Sequence, residues 1–455
     1  MEKILAGGAN TDGKEIAAFE QKASFKIRVV RNAYRFCSVI FTALLLCLAG
    51  CGNEWDASKD LTIGQDWLEE ADKDTADRLE SDLFREDDGS EPQSGWRNTA
   101  DGAPFGEKDL SAQSDTAFSY GYSQLSGDEE QLYREILNSL ISYQEETELS
   151  VKDPEMVERV FRYVMADHPE IFYADGYEVT TYRLGTELRR ITFTGTWTLE
   201  SDEVLSRRAQ LEAAAALWLE GLPDGTDDFE KAKYIYDALI LRTEYEQGSA
   251  DSQTICSVLL NQRSVCQGYA KTFQYLCQLA GIPAMLVTGD VNGEGHAWNI
   301  VEINGEQYYV DATNGDQPAF LEGGAVSLEE HKTTIYDYLC PFPQEYEQLY
   351  TASDEFPLPA CTATDCNFYV LNQACFDTYD EQQIYDFCCM RLENGAAVVR
   401  FKFTSQEAFD EACQQWIQEG YVQKVAEYYL KMYGLSTVEY HYGILDNLKT
   451  IYFMF

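Results

Sequence analysis

Three residues in one short stretch have the types and order needed for nucleophilic attack on a carbonyl. Cys266, His296 and Asp311 lie within SVCQGYAKTFQYLCQLAGIPAMLVTGDVNGEGHAWNIVEINGEQYYVDATNGD, residues 264–316. A cysteine attacks as its thiolate, and an adjacent histidine forms that thiolate by becoming an imidazolium. A carboxylate on the far ring nitrogen sets the tautomer and holds the ring. The same histidine then protonates the leaving amine. The backbone N–H of Cys266 is the expected oxyanion donor. Gln262, Tyr245 and Trp298 are candidates for a second donor or a substrate contact.

The elements that must position these residues follow from local pattern. Cys266, Tyr269, Ala270, Phe273, Leu276, Cys277 and Ala280 repeat at helical spacing with one apolar face. Gly281 before Ile282-Pro283 ends that helix. Cys266 then sits in the first turn, where unpaired N–H groups and the helix dipole stabilise a thiolate. Gly268 has no side chain, so a neighbouring element can come close. Ala284–Thr288 reads as a short buried strand, followed by a loop over 289–295. The runs 296–303 and 306–311 flank Asn304-Gly305, the signal for a type I′ hairpin. That turn makes Ile303 face Glu306, and by extension Asp311 face Trp298 and His296 face Thr313. Period-two alternation puts all four side chains on one face and makes His296 and Asp311 diagonal neighbours.

The segments SVCQGYAKTFQYL, GHAWNIV and YYVDAT resemble the Cys, His and Asp boxes of the transglutaminase-like superfamily, which has a papain-like fold. The resemblance is strongest over 203–350 and extends in general layout from about Ser126. It implies an α+β core, a helix carrying the nucleophile against an antiparallel sheet, flanked by small α/β regions. By position it implies Cys266 as nucleophile, His296 as base and Asp311 as orienter. The family usually has Asp-Pro-Thr followed by an aromatic residue, whereas this chain has Asp311-Ala312-Thr313-Asn314. The loop after the strand is therefore expected to be shaped differently.

Each residue alone favours a plainer reading. A lone cysteine on an apolar helix face is usually a small buried hydrophobe, and a lone histidine beside a Gly-rich loop is usually incidental. The three together, in a register that puts two side by side, favour chemistry.

The 455 residues carry a formal net charge of −44. Such acidity leaves little to neutralise phosphates and argues against nucleic acid as partner. It also argues against adhesion to anionic surfaces. No cofactor or metal motif is present, and no Cys-x-x-Cys pair. Most of the 13 cysteines are expected as buried free thiols.

Residues 1–50 read as a signal peptide. Lys22, Lys26, Arg28, Arg31 and Arg35 form a basic region, and 38–50 is apolar but short for a membrane span. The stretch before Lys22 is long for such a region, so the natural start is expected downstream of Met1. Leu48-Ala49-Gly50-Cys51 resembles a bacterial lipobox, which implies lipidation of Cys51 and anchoring on the outer face of the bacterial cytoplasmic membrane. Residues 51–125 hold the lipidated cysteine and an acidic tether, where acidic residues outnumber basic ones about threefold. An α/β region follows over 126–200, the catalytic region spans 201–352, and a C-terminal α/β region spans 356–455.

The expectation is a cell-surface cysteine acyltransferase or hydrolase acting on amide bonds of peptides or proteins, cell-wall peptide among them. Hydrolysis by a protease or amidase is favoured over crosslinking, because amine transfer needs a site that excludes water. The alternative is a catalytically silent binding module using the same cleft.

Overall fold

The computed structural model describes residues 21–25, 119–223, 225–316, 321–322, 334–353 and 357–454 apart from 437 and 439. The rest of the expected signal peptide, Cys51, the tether up to residue 118 and His331 lie outside the described residues. The fold class is α+β, and the chain divides into two compact units.

The first unit contains Leu125–Val164 and Tyr173–Leu199. Helix α1 (Asp128–Ile141) buries Leu132, Ile136 and Leu140, the stripe its apolar spacing predicts. Helix α2 (Pro154–Asp167) opens on Pro154, whose fixed φ suits a first turn. Strands β2 (Ala174–Leu184) and β3 (Glu187–Trp197) form a hairpin around Gly185-Thr186. Strand β1 (Gln21–Phe25) pairs antiparallel with β2.

The second unit contains Glu200–Phe455. Helices α3 (Ser201–Leu219) and α4 (Asp228–Arg242) come first; the Asp227 carboxylate caps α4 by accepting the Glu230 N–H. The short helix α5 (Ile255–Leu259) leads into α6 (Cys266–Leu279). Three antiparallel strands follow: β4 (Ala284–Val291), β5 (Glu294–Ile303) and β6 (Glu306–Val310). Strand β7 (Tyr350–Ala352) pairs with the other edge of β4, so the order is β7-β4-β5-β6.

The β5–β6 hairpin has the expected register, Ile303 opposite Glu306 and Asn299 opposite Val310. Asn304 and Gly305 both have positive φ, 54° and 84°, as a type I′ turn demands. Two expectations are corrected. Residues 289–295 are not a loop: β4 and β5 continue to Val291 and Glu294, around a second Asn-Gly turn with φ of 52° and 84° at Asn292 and Gly293. The ladder also stops at Val310, because Asp311 turns to cap the short helix Ala312–Gly315. Thr313 thus leaves the strand and does not face His296.

The C-terminal part of this unit builds its own sheet. Helix α7 (Glu381–Glu393), strand β8 (Val398–Phe403), helix α8 (Gln406–Ala412), helix α9 (Val422–Tyr433) and strands β9 (His441–Leu445) and β10 (Thr450–Met454) surround Phe401, Trp416 and Phe453. Residues 366–371, within the C-terminal α/β region, read from sequence as a strand. Phe368–Leu371 is instead a helical turn, because the Asn367 side chain accepts the Tyr369 and Val370 N–H groups. The buried Lys402 of β8 meets Asp337 at 3.2 Å and Glu345 at 2.8 Å. One residue on, the Tyr338 carbonyl accepts the Asp311 N–H at 2.9 Å.

Candidate active site

Cys266 begins α6 and is half-buried, packed against Ala270, Leu286 and Ala297. Gly268 permits this placement. A Cβ there would lie 2.0 Å from Ser264 Oγ and 2.9 Å from the Ser252 carbonyl, so the expected close approach is real. The buried Asn299 of β5 ties helix to sheet: its Nδ2 donates to the Ala270 carbonyl at 2.9 Å and to the Met285 carbonyl at 3.1 Å. The helix carrying Cys266 is thereby pinned to the strand carrying His296.

His296 lies near the start of β5, opposite Gly289. Its Nε2 is 2.8 Å from Asp311 Oδ2, and its side chain is 12% exposed. With Nε2 taken by Asp311, Nδ1 is the ring nitrogen left to face Cys266, which packs against the neighbouring Ala297. Burial opposes the imidazolium, but the Asp311 charge and hydrogen bond, followed by Cys266, outweigh it and lift its pKa to about 10. A protonated ring held by a carboxylate is the partner that a cysteine nucleophile requires.

Asp311 is 1% exposed. Its Oδ1 accepts the Thr313 and Asn314 backbone N–H groups at 3.0 and 3.1 Å. Its Oδ2 accepts from His296, from Asn314 Nδ2 at 2.8 Å and from the Tyr350 hydroxyl at 2.6 Å. Burial alone would raise its pKa, yet the His296 charge and the donors around it hold it below the usual carboxylate range.

The structure brings Cys266, His296 and Asp311 together as their spacing implied. It distributes the other candidates differently. Trp298 is 1% exposed; its ring packs edge-on against Tyr350 at 5.2 Å and cannot contact a substrate. Gln262 is exposed in a left-handed turn with φ of 54°, on the wall of a surface cavity of about 570 Å3 between residues 241–244 and 261–263. Tyr245 is exposed, pairs with Ser264, and lies 6.5 Å from the Tyr269 ring one turn along α6 from Cys266. Sequence reasoning missed Tyr350, Asn299 and the bonding role of Asn314. The departure from the family pattern at Asn314 was a signal; for Tyr350, far along the chain, there was none.

Residues 219–312 match the Transglutaminase-like superfamily, a span that includes Cys266, His296 and Asp311. This stretch is a transglutaminase-like domain. Human kyphoscoliosis peptidase is 32% identical over 111 residues, which cover 21% of this chain and 17% of that protein. The mouse protein is 30% identical over the same length. The chain therefore spans about a sixth of the curated relatives it matches. Among solved structures, a TGase shares 14% identity with a TM-score of 0.23, covering 33% of this chain and 48% of the other. The periplasmic domain of TgpA from Pseudomonas aeruginosa shares 15% identity with a TM-score of 0.15, covering 31% and 72%.

All ten described cysteines are free. Burial pushes the Cys277, Cys340 and Cys388 thiols well above the usual range, which keeps them unreactive. Among the described residues no cluster could hold a metal ion, and no helix is long and apolar enough to cross a membrane.

Proposed function

We propose that this protein is a cysteine hydrolase that cleaves amide bonds of peptides or proteins through Cys266, His296 and Asp311. The observation that carries the reading is the His296 imidazole held by Asp311 at 2.8 Å, with Cys266 packed against the adjoining Ala297. The Cys266 thiolate attacks the carbonyl carbon, and an S–C bond forms as the carbonyl oxygen becomes an oxyanion. The first-turn N–H of Cys266 donates to that oxygen. Collapse breaks the C–N bond, and the amine leaves with the proton from His296. Water then gives a proton to His296 and attacks the thioester; the acid is released and the thiolate–imidazolium pair returns.

Hydrolysis is favoured over amine transfer because Cys266 and His296 are both partly exposed, so water reaches the acyl-enzyme. Export and lipidation at Cys51 complete the proposal and place the enzyme on the outer face of the bacterial cytoplasmic membrane, with peptides, cell-wall peptide among them, as substrates.

The test is a peptide and amide library assayed for amine release, with and without a labelled primary amine. Amine release that is lost in Cys266→Ala and His296→Ala supports hydrolysis. Incorporation of the labelled amine in preference to water makes the protein a crosslinking enzyme. Wild-type Cys266 that alkylates no faster than a free cysteine, with no turnover, overturns the enzyme reading in favour of a binding module. Fatty-acid labelling that is lost in Cys51→Ser tests the anchor.

A further inference from the structure

Asp311 Oδ2 serves three donors at once. His296 Nε2 and Asn314 Nδ2 each lie at 2.8 Å and the Tyr350 hydroxyl at 2.6 Å. Asn314 Nδ2 is also 2.6 Å from the Tyr350 oxygen. An amide nitrogen carries two protons and a phenol one. With Asn314 donating to the phenol oxygen, the phenol proton is directed at Asp311. Burial and then the Asp311 charge push ionisation of Tyr350 far above the ordinary phenol range, so it stays a donor.

Donors on one carboxylate oxygen share its charge. A carboxylate that gave all of it to His296 would make the imidazolium a poor acid for the leaving amine. From this arrangement we infer that Tyr350, aimed by Asn314, is a positioning residue that limits how tightly Asp311 holds the His296 proton. The inference rests on the catalytic reading of Cys266, His296 and Asp311.

The ring of Tyr350 is held independently of its hydroxyl. It stacks on Tyr346 at 3.8 Å and 13°, meets Trp298 edge-on, and belongs to β7, where it pairs with Val291. Tyr350→Phe therefore removes the donor and keeps the packing. The titratable groups around His296, Asp311 and Tyr350 are Cys266 from α6, Tyr236 from α4, Tyr338 from the turn at Tyr336–Tyr338, and Tyr346 from the helix Pro343–Glu347.

The test is the titration of His296 by nitrogen NMR in the full-length protein, where only four histidines contribute signals. In Tyr350→Phe the His296 midpoint is expected to rise by about 0.5–1 pH unit, because the carboxylate loses a competing donor. With an amide substrate, kcat is expected to fall about three- to tenfold while KM is unchanged. Asn314→Ala, which removes both a donor to Asp311 and the group that aims the phenol, is expected to shift the midpoint in the same direction; if Tyr350→Phe does not fold, Tyr350→Met, which also lacks the hydroxyl, decides the matter by the same midpoint. A midpoint that stays put or falls would show that Tyr350 only anchors the carboxylate, and would overturn the inference. The midpoint is read without turnover, so a wild-type protein that cleaves no amide sinks the proposed function and leaves this test standing.

Discussion

Replacing Asp311 by Asn keeps the shape of the side chain and removes its charge. His296 then loses the largest favourable influence on its imidazolium, while burial continues to oppose it. The lift from 6.5 to about 10 corresponds to about 5 kcal/mol, at about 1.36 kcal/mol per unit, shared between Asp311 and Cys266. Without Asp311 the ring is expected to be neutral at pH 7, and Cys266 loses its ion-pair partner. A free thiol with a pKa of ~8.5 is only about 0.3% ionised at pH 6. Alkylation by iodoacetamide at pH 6, followed by mass spectrometry, should therefore slow by about 10- to 300-fold; the lower figure allows for the weaker nucleophilicity of a stabilised thiolate. Stability should change with a matching pH signature. The pair costs about 3–5 kcal/mol to break when buried. The Asp311 contribution, from a depressed pKa, is present above the ordinary carboxylate range and lost as pH falls through the folded value. The His296 contribution, from a raised pKa, is complete below about 6.5 and lost as pH rises through about 10. The wild-type and variant denaturation midpoints should differ most between those limits and converge outside them. Alkylation profiles that superimpose from pH 5 to 8, with a midpoint difference independent of pH, would refute the charge pairing and leave Asp311 as a turn cap.

Three further substitutions probe the scaffold. Asn299→Ala removes the donors to Ala270 and Met285; it should cost about 1–3 kcal/mol in urea unfolding and slow Cys266 alkylation as helix and strand lose alignment. Gly289→Ala places a Cβ 2.1 Å from the Thr351 carbonyl, so it should destabilise by about 1–3 kcal/mol. Because the clash falls on the strand carrying Tyr350, hydrogen exchange should rise at residues 350–352. Lys402→Met leaves Asp337 buried without its cation; a loss of about 3–5 kcal/mol is expected, and Asp337→Leu in the same chain should restore much of it. A double variant as unstable as the single one would show that the loss does not come from an unpaired Asp337 charge.

Much of the site was legible because its decisive constraints are local. Helical spacing from Cys266 and the stop at Gly281 placed the nucleophile in a first turn. Asn304-Gly305 set the hairpin register, which made His296 and Asp311 neighbours. The same dipeptide at Asn292-Gly293 carried an equally clear turn signal, but the cluster of glycines read as a loop. The end of the ladder at Asp311 was harder to see, because capping competes with strand continuation and both suit an aspartate after alternating residues.

The sequence by itself thus determined the order of the three reactive residues, the helix and hairpin that present them, and the acidity of the whole chain. Periodicity and turn chemistry act over a few residues and survive any tertiary context. What only the tertiary structure decided is the company those residues keep. Tyr350 reaches Asp311 across 39 positions, Asn299 reaches Ala270 across 29, and Lys402 reaches Asp337 across 65. Likewise Trp298, on the same strand as His296, was turned into packing by Tyr350, and Gln262 was left on the surface. Such contacts depend on how separate elements stack, and that choice is made by the packing of the whole core rather than by any one segment.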